Sequence, residues 1–294
     1  YGVLLLARCS QSVIMSATNP ASTAYAADHT SREQRTATMA RLGTANSMGT
    51  ILGPAVSGAL ATFGLLAPLY FAAVIAALAA LLVWRQLPVI REQDRTNRKI
   101  TRRLRFTDRR NLMFLTTAVG LFVGFSGIQQ TLGFQLQDKL GLNGIETAQM
   151  TGAALMVSAA FTFLIQVTVM QRMTLRASLF IRLGLLSLFI GAIVIASFNT
   201  FAVLAVGMAF MGTGLGLCMP AIAAGASLAV SPSEQGAAAG LVSACPAIGF
   251  VAGPVSAGAL YQIDSSLAPL FSATIFMTVL LVLVWHEHRS RACK

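Results

Sequence analysis

Gly53-Pro54-Ala55-Val56-Ser57-Gly58-Ala59-Leu60 returns 200 residues later as Gly253-Pro254-Val255-Ser256-Ala257-Gly258-Ala259-Leu260. Each copy closes a long apolar run. Each run follows a polar loop holding a Glu-Gln pair, Glu33-Gln34 before the first copy and Glu234-Gln235 before the second. A parallel repeat inside an apolar chain predicts a membrane protein built from two similar halves.

The composition supports the same reading. Hydrophobic residues make up 55% of the chain and charged residues 11%, and the mean hydropathy is +0.71. A soluble domain carries roughly 25% charge, so a water-facing surface for 294 residues cannot be assembled here. The formal charge of +11 does not point to nucleic acid, because the basic residues cluster between apolar runs, as in a positive-inside topology. The four cysteines, Cys9, Cys218, Cys245 and Cys293, are scattered. They form neither a disulfide framework nor a metal-ligand spacing, and they read as small packing residues.

A membrane-crossing helix needs about 20 mostly apolar residues. Nine segments qualify, at about 3–25, 40–61, 66–86, 112–133, 148–170, 177–197, 201–227, 236–260 and 268–286. The gap at 87–111 stands apart. It holds Arg91, Arg95, Arg98, Lys99, Arg102, Arg103, Arg105, Arg109 and Arg110 against Glu92, Asp94 and Asp108. It reads as a basic cytosolic linker lying against an anionic membrane face. Alternation then places loops 26–39, 171–176 and 228–235 and the tail 287–294 in the cytosol with it. The opposite side receives 62–65, 134–147, 198–200 and 261–267, where Lys139 is the single basic residue.

Three spans precede the linker and six follow it. The repeated phrase sits in the second span and again in the eighth. Matching copies should occupy matching places in equal halves, so the visible spans count as helices 4–12 of a twelve-helix protein. The expected organisation is an incomplete N-terminal bundle of three helices at 1–86, the linker at 87–111 and a C-terminal six-helix bundle at 112–294. A chain starting at Tyr1 with three helices fewer is expected not to transport by itself.

On these residues the chain resembles the major facilitator superfamily, and most closely its twelve-helix bacterial drug:proton antiporters. The fourth-helix motif of that group has an Arg followed three residues later by Gln and then Gly; Arg8 and Gln11 match, and Ser12 replaces the Gly. The next loop matches at Asp28, Thr30, Glu33 and Arg35. The fifth-helix antiporter signature is Gly, eight residues, Gly, three residues, Gly-Pro, two residues, Gly-Gly. Gly49, Gly53, Pro54 and Gly58 match it, with Ala40 and Ser57 in place of two glycines. The second-half copy keeps Gly240, Gly249, Gly253, Pro254 and Gly258 and departs at Ala257.

The resemblance implies an all-α polytopic fold in the bacterial inner (plasma) membrane, monomeric at full length, with lipid around it and no cofactor. It implies that helices 1, 4, 7 and 10 line a central cavity. Gly49, Gly53 and Gly58 let a neighbouring helix approach closely, and Pro54 removes an amide donor and bends its helix. An ordinary small-residue interface is one reading of this stretch. A bent seam that seals the cavity during alternating access is the reading that the resemblance favours. For the second copy the ordinary interface is expected. Asp28 and Arg35 belong to the cytosolic loop motif.

Arg8, inside an apolar span, either snorkels to the external interface or faces a cavity with Gln11. Phe125, Gln129 and Gln130 in the seventh helix of the fold, and Met208 and Met211 in the tenth, are the candidate cavity residues, since aromatic, thioether and amide groups accept varied lipophilic molecules. Gln129 and Gln130 are adjacent, so one is expected to face the cavity and the other a neighbouring helix.

No Asp or Glu sits in the middle of a visible span, so a proton-binding carboxylate is not among them. The histidines His29, His286 and His288 lie at loops or the tail, and nothing marks an enzyme or a metal site. Gly212-x-Gly214-x-Gly216 lies within an apolar span and reads as helix packing rather than phosphate binding. The function implied is proton-coupled efflux of lipophilic or amphipathic small molecules. The alternative is a proton-coupled uptake carrier for a sugar, organic acid or other small solute.

Overall fold

The computed structural model describes residues 2–16, 18, 21, 22, 25, 49, 53, 56–64, 66–86, 104, 106–168, 177–231 and 234–292, with the backbone alone at 4, 8, 15, 16, 287, 288 and 290–292. Every regular element among them is helical. In chain order these are α1 (Gly2–Ser16), a 3-10 turn (Ala61–Phe63), α2 (Ala67–Gln86), α3 (Arg109–Leu140), α4 (Gly144–Thr168), α5 (Ala177–Ala196), α6 (Phe201–Leu228), α7 (Gln235–Tyr261) and α8 (Leu267–Ala292). The chain divides into two compact units, Tyr1–Gly53 and Pro54–Lys294. Among the described residues the first unit contains α1, and the second contains all the other elements.

Seven of the described helices, α2 to α8, are long and apolar enough to cross a membrane. They coincide with the last seven expected spans. The expected spans 3–25 and 40–61 lie only partly within the described residues, and the loop 26–39 and most of the linker lie outside them. Two boundaries are corrected. α3 continues to Leu140 and α4 starts at Gly144, so the expected loop at 134–147 shrinks to three residues. α8 continues to Ala292, so most of the expected tail at 287–294 is helical.

The extension of α3 has local causes. Leu136 and Gln135 are fully buried, the Lys139 ammonium donates to Ala196 O at the end of α5, and Lys139 also sits 4.5 Å from the centre of the Phe198 ring. The helix stops at Gly141, whose φ of 65° closes it and whose N–H bonds Gln137 O; a left-handed terminal residue is what glycine supplies without steric cost. At the other end Asp108 caps α3 by accepting from Arg110 N, satisfying one of the free amides of the first turn.

α3 to α8 pack as one bundle. The main pairs are α5 with α6, α3 with α7, α4 with α6, α8 with α5 and α8 with α3. Exchanging α3, α4, α5 for α6, α7, α8 maps α3–α7 onto α6–α4 and α5–α6 onto α8–α3. The bundle is thus two three-helix repeats, a common plan of membrane carriers.

Lipid gives helices little reason to associate beyond packing, and the crossings are made where side chains are smallest. A Cβ built at Gly191 would lie 2.9 Å from Gly207 O, and one at Gly214 2.7 Å from Gly184 O, so α5 and α6 meet backbone to backbone. Ser187 Oγ donates to Phe210 O across the same contact at 2.7 Å. Gly216 stands equally close to Thr162 O of α4. These contacts confirm helix packing as the role of the Gly212, Gly214 and Gly216 stretch.

The pairings also fix direction. The N-termini of α3 and α7 and the C-termini of α6 and α8 lie at one end of the bundle, since Arg110 bonds Glu234, Phe114 abuts Gly225 and Gly120 abuts Val279. We call this the basic end.

Candidate functional site

The second copy of the repeated phrase runs along α7 and is the closest helix contact of α3. A Cβ at Gly249 would strike the Phe122 backbone, with its carbonyl carbon at 2.7 Å. One at Gly253 would strike Ser126 Oγ and Val123 O. Ser126 Oγ donates to Gly249 O at 2.8 Å, which gives a buried hydroxyl its partner and pins the crossing. Gly240 is open, with nothing within 4 Å of a Cβ, and Gly258 is likewise open. The working part of this copy is therefore Gly249, Gly253 and the buried Ala257.

In the first copy, Gly58 is buried. A Cβ there would lie 3.6 Å from Gln149 O and from Gly152 Cα of α4. Among the described residues nothing lies within 4 Å of a Cβ at Gly49 or Gly53. Pro54 lies outside the described residues, as do Asp28 and Arg35. Arg8 belongs to α1, with its side chain outside the description, and Gln11 is exposed on the same helix.

α3 carries a column of polar groups toward its far end. Thr131 Oγ1 donates to Gly127 O at 2.9 Å, and Gln135 Nε2 donates to Thr131 Oγ1 at 3.2 Å. Gln129 and Gln130 diverge as their adjacency requires: Gln129 is half-buried and Gln130 is exposed. The carbonyl oxygens of Gln129 and Gln135 and the hydroxyl of Thr151 on α4 are buried without a hydrogen-bond partner. Thr151 faces Gly133 of α3, one turn beyond Gln129. Such groups cost about 1–3 kcal/mol each when left unpaired, so Gln129 and Thr151, one turn apart along the α3–α4 contact, mark a place where a hydrogen-bonding solute would gain.

Phe125 is half-buried against the apolar core. Met208 and Met211 are 1% and 0% exposed within that core. Both lie beside the Gly191–Gly207 crossing, inside the α5–α6 contact.

A charged cluster closes the basic end. Arg110 donates to both Asp108 and Glu234, with salt-bridge distances of 2.9 and 3.0 Å. Ser231 Oγ donates to Glu234 at 2.7 Å. The Arg110 guanidinium, and then Ser231, hold the Glu234 carboxyl down at about 2, well below its usual 4.5. Asp108 is lowered by its hydrogen bonds from Arg110. At the other end Tyr261 OH donates to Asp138, and Asp264 is lowered by Ser266.

Sequence reasoning missed Ser126, Thr131, Gln135 and the Arg110–Glu234 pair. Hydroxyl and amide residues inside an apolar run were the available signal for the first three, and the repeated Glu-Gln for Glu234. No group of three or more His, Cys, Asp or Glu among the described residues is placed to hold a metal ion.

Apolar helices threaded back and forth through one bundle, with their polar groups turned onto helix contacts, define a multi-pass membrane protein of the carrier class. Residues 1–245 match the Major Facilitator Superfamily, and the chain belongs to that superfamily. It is a small-molecule transporter rather than an enzyme, and a multi-pass protein of the bacterial inner (plasma) membrane.

Two relatives come from Bacillus subtilis (strain 168). Multidrug resistance protein 2 is 26% identical over 286 residues, covering 93% of this chain and 70% of that protein. Multidrug resistance protein 1 is 27% identical over 284 residues, covering 90% and 69%. Among solved structures, a mutant of the peptide transporter POT in complex with sulfate superposes with a TM-score of 0.51 at 20% identity. That match covers 59% of this chain and 37% of the transporter, so the chain spans less than half of it and the likeness is one of fold.

Proposed function

We propose that the chain serves proton-driven efflux of lipophilic or amphipathic small molecules by alternating access. The observation that carries this reading is its similarity, over nearly its whole length, to two proteins named for multidrug resistance. The Gly49, Gly53, Pro54 and Gly58 spacing supports it, and Gly58 is in ordinary contact with α4. In this reading α3–α8 are the six-helix C-terminal bundle, residues 87–111 are its cytosolic linker, and Gln129 and Thr151 offer the polar contacts that orient a largely apolar solute.

The test is flux of lipophilic dyes in sealed vesicles containing the full-length protein, under an imposed proton gradient. Outward dye movement that collapses with the gradient is expected. Movement indifferent to the gradient sinks the coupling, and inward movement driven by it favours uptake.

A further inference from the structure

α3 and α8 cross tightly at Gly120 and Val279 and at Gly124 and Phe276. Toward the basic end they part. The space between them is a cavity of about 140 Å³ lined by Met113, Thr116 and Thr117 of α3 and by Thr278, Val282 and Leu283 of α8. Ligand pockets for drug-sized molecules run about 300–1,000 Å³, so this one is too small for such a solute. Its volume suits a short segment of one acyl chain. Its walls are apolar, and the Thr116 and Thr278 hydroxyls are spent on their own helix at Met113 O and Thr274 O.

The mouth has the opposite character. Arg109 lies one turn before Met113 on the same face of α3 as Thr116 and Gly120. His286 and Arg289 lie one and two turns beyond Val282 on the matching face of α8. Both arginines are exposed. Among the described residues Arg109 makes no ion pair, and Arg289 rests on the Trp285 ring, 5.4 Å from its centre. Trp285 is 61% exposed, and tryptophan at a helix end marks the headgroup level.

We propose that this groove holds part of one acyl chain of an anionic phospholipid, with its phosphate held between Arg109 and Arg289. An apolar slot between two membrane-crossing helices suits part of an acyl chain, and two exposed guanidiniums at its mouth suit a negative headgroup. A lipophilic cation is repelled there, which separates this site from the transport reading.

Trp285 is its own reporter. The chain has two tryptophans, so Trp84→Phe leaves Trp285 alone. The full chain carrying that change is reconstituted in phosphatidylcholine vesicles and titrated with dibrominated phosphatidylglycerol or dibrominated phosphatidylcholine. Quenching, scaled to each variant's unquenched signal, is expected to favour the anionic lipid by ~5-fold for each arginine, from about 1 kcal/mol per basic residue near an anionic surface. Arg109→Gln with Arg289→Gln removes the preference. Thr278→Phe, at an exposed position, fills the slot and weakens quenching by both lipids. Arg98→Gln with Arg102→Gln in the linker leaves the preference in place.

Equal quenching by the two lipids overturns the proposal. So does a preference that survives the loss of Arg109 and Arg289, or one lost equally when the linker arginines are changed, which is diffuse attraction. Relief of quenching by excess inorganic phosphate makes it an ion site instead. Should the double variant fail to insert, unaltered quenching in Thr278→Phe rejects the groove by itself.

Discussion

Arg110 donates to both carboxylate oxygens of Glu234, at 3.0 and 3.3 Å, and so joins the start of α3 to the start of α7 across 124 residues of sequence. The same guanidinium holds Asp108, the cap of its own helix. One side chain thereby fixes two helix entries.

Glu234 binds its proton less readily in the folded protein, at about 2 against a usual 4.5. A depressed carboxyl stabilises the fold above its unfolded value and loses that contribution as pH falls through the folded one. Glu234→Gln is therefore expected to lower the thermal midpoint of the solubilised protein at pH 7. The gap to wild type is expected to narrow steadily below pH 4.5. A gap that is constant with pH would place the effect in packing rather than charge.

The two copies of the Gly-Pro phrase are expected to respond differently to substitution. Gly253→Ala drives a methyl into Ser126 and the Val123 carbonyl, and overpacking of this kind costs about 1–3 kcal/mol. It should lower stability in denaturant titrations of the solubilised chain. Gly240→Ala, which meets open space, should not. Gly53→Leu, also open among the described residues, is expected to insert normally and reduce flux in the vesicle assay. Normal flux in a correctly inserted Gly53→Leu protein removes the seam role.

Gln129 is predicted to trade stability for function. Its buried carbonyl oxygen has no partner, so Gln129→Leu should leave thermal stability unchanged or raise it, by about 1–3 kcal/mol at most, while weakening dye flux. A loss of stability together with flux would make it a packing residue.

Topology is open to a thiol test. Cys218 and Cys245 are fully buried, so replacing Cys9 and Cys293 should leave little background labelling. Cysteines introduced at Arg98 and Arg291 are then expected to react with an impermeant maleimide from the cytosolic face alone. External labelling at either position inverts the orientation.

The membrane-crossing helices were legible because length and apolarity suffice for them. Their ends were less so. The run Gln135-Leu136-Gln137-Asp138-Lys139 looks like a loop by polarity. It is helix because Gln135 and Leu136 are buried in the bundle and Lys139 reaches Ala196 O, tertiary surroundings that no local pattern displays. The burial of Met208 and Met211 was not legible for a related reason. α6 is apolar on every side, and a helix apolar all round gives no sign of which face is buried. The second Gly-Pro copy was read correctly as an interface, since small residues at helical spacing have few other uses in lipid.

The glycine notches between α5 and α6 bear on the order in which the bundle assembles. Only the turn at 197–200 separates the two helices, and their contacts at Gly191–Gly207 and Gly184–Gly214 close short loops at small entropic cost. A nascent chain thus holds a complete hairpin before α7 has left the ribosome. α3 must wait for α7, 123 residues later, to cover Ser126. During that interval Ser126 is without its partner on α7, while the α5–α6 hairpin is already closed.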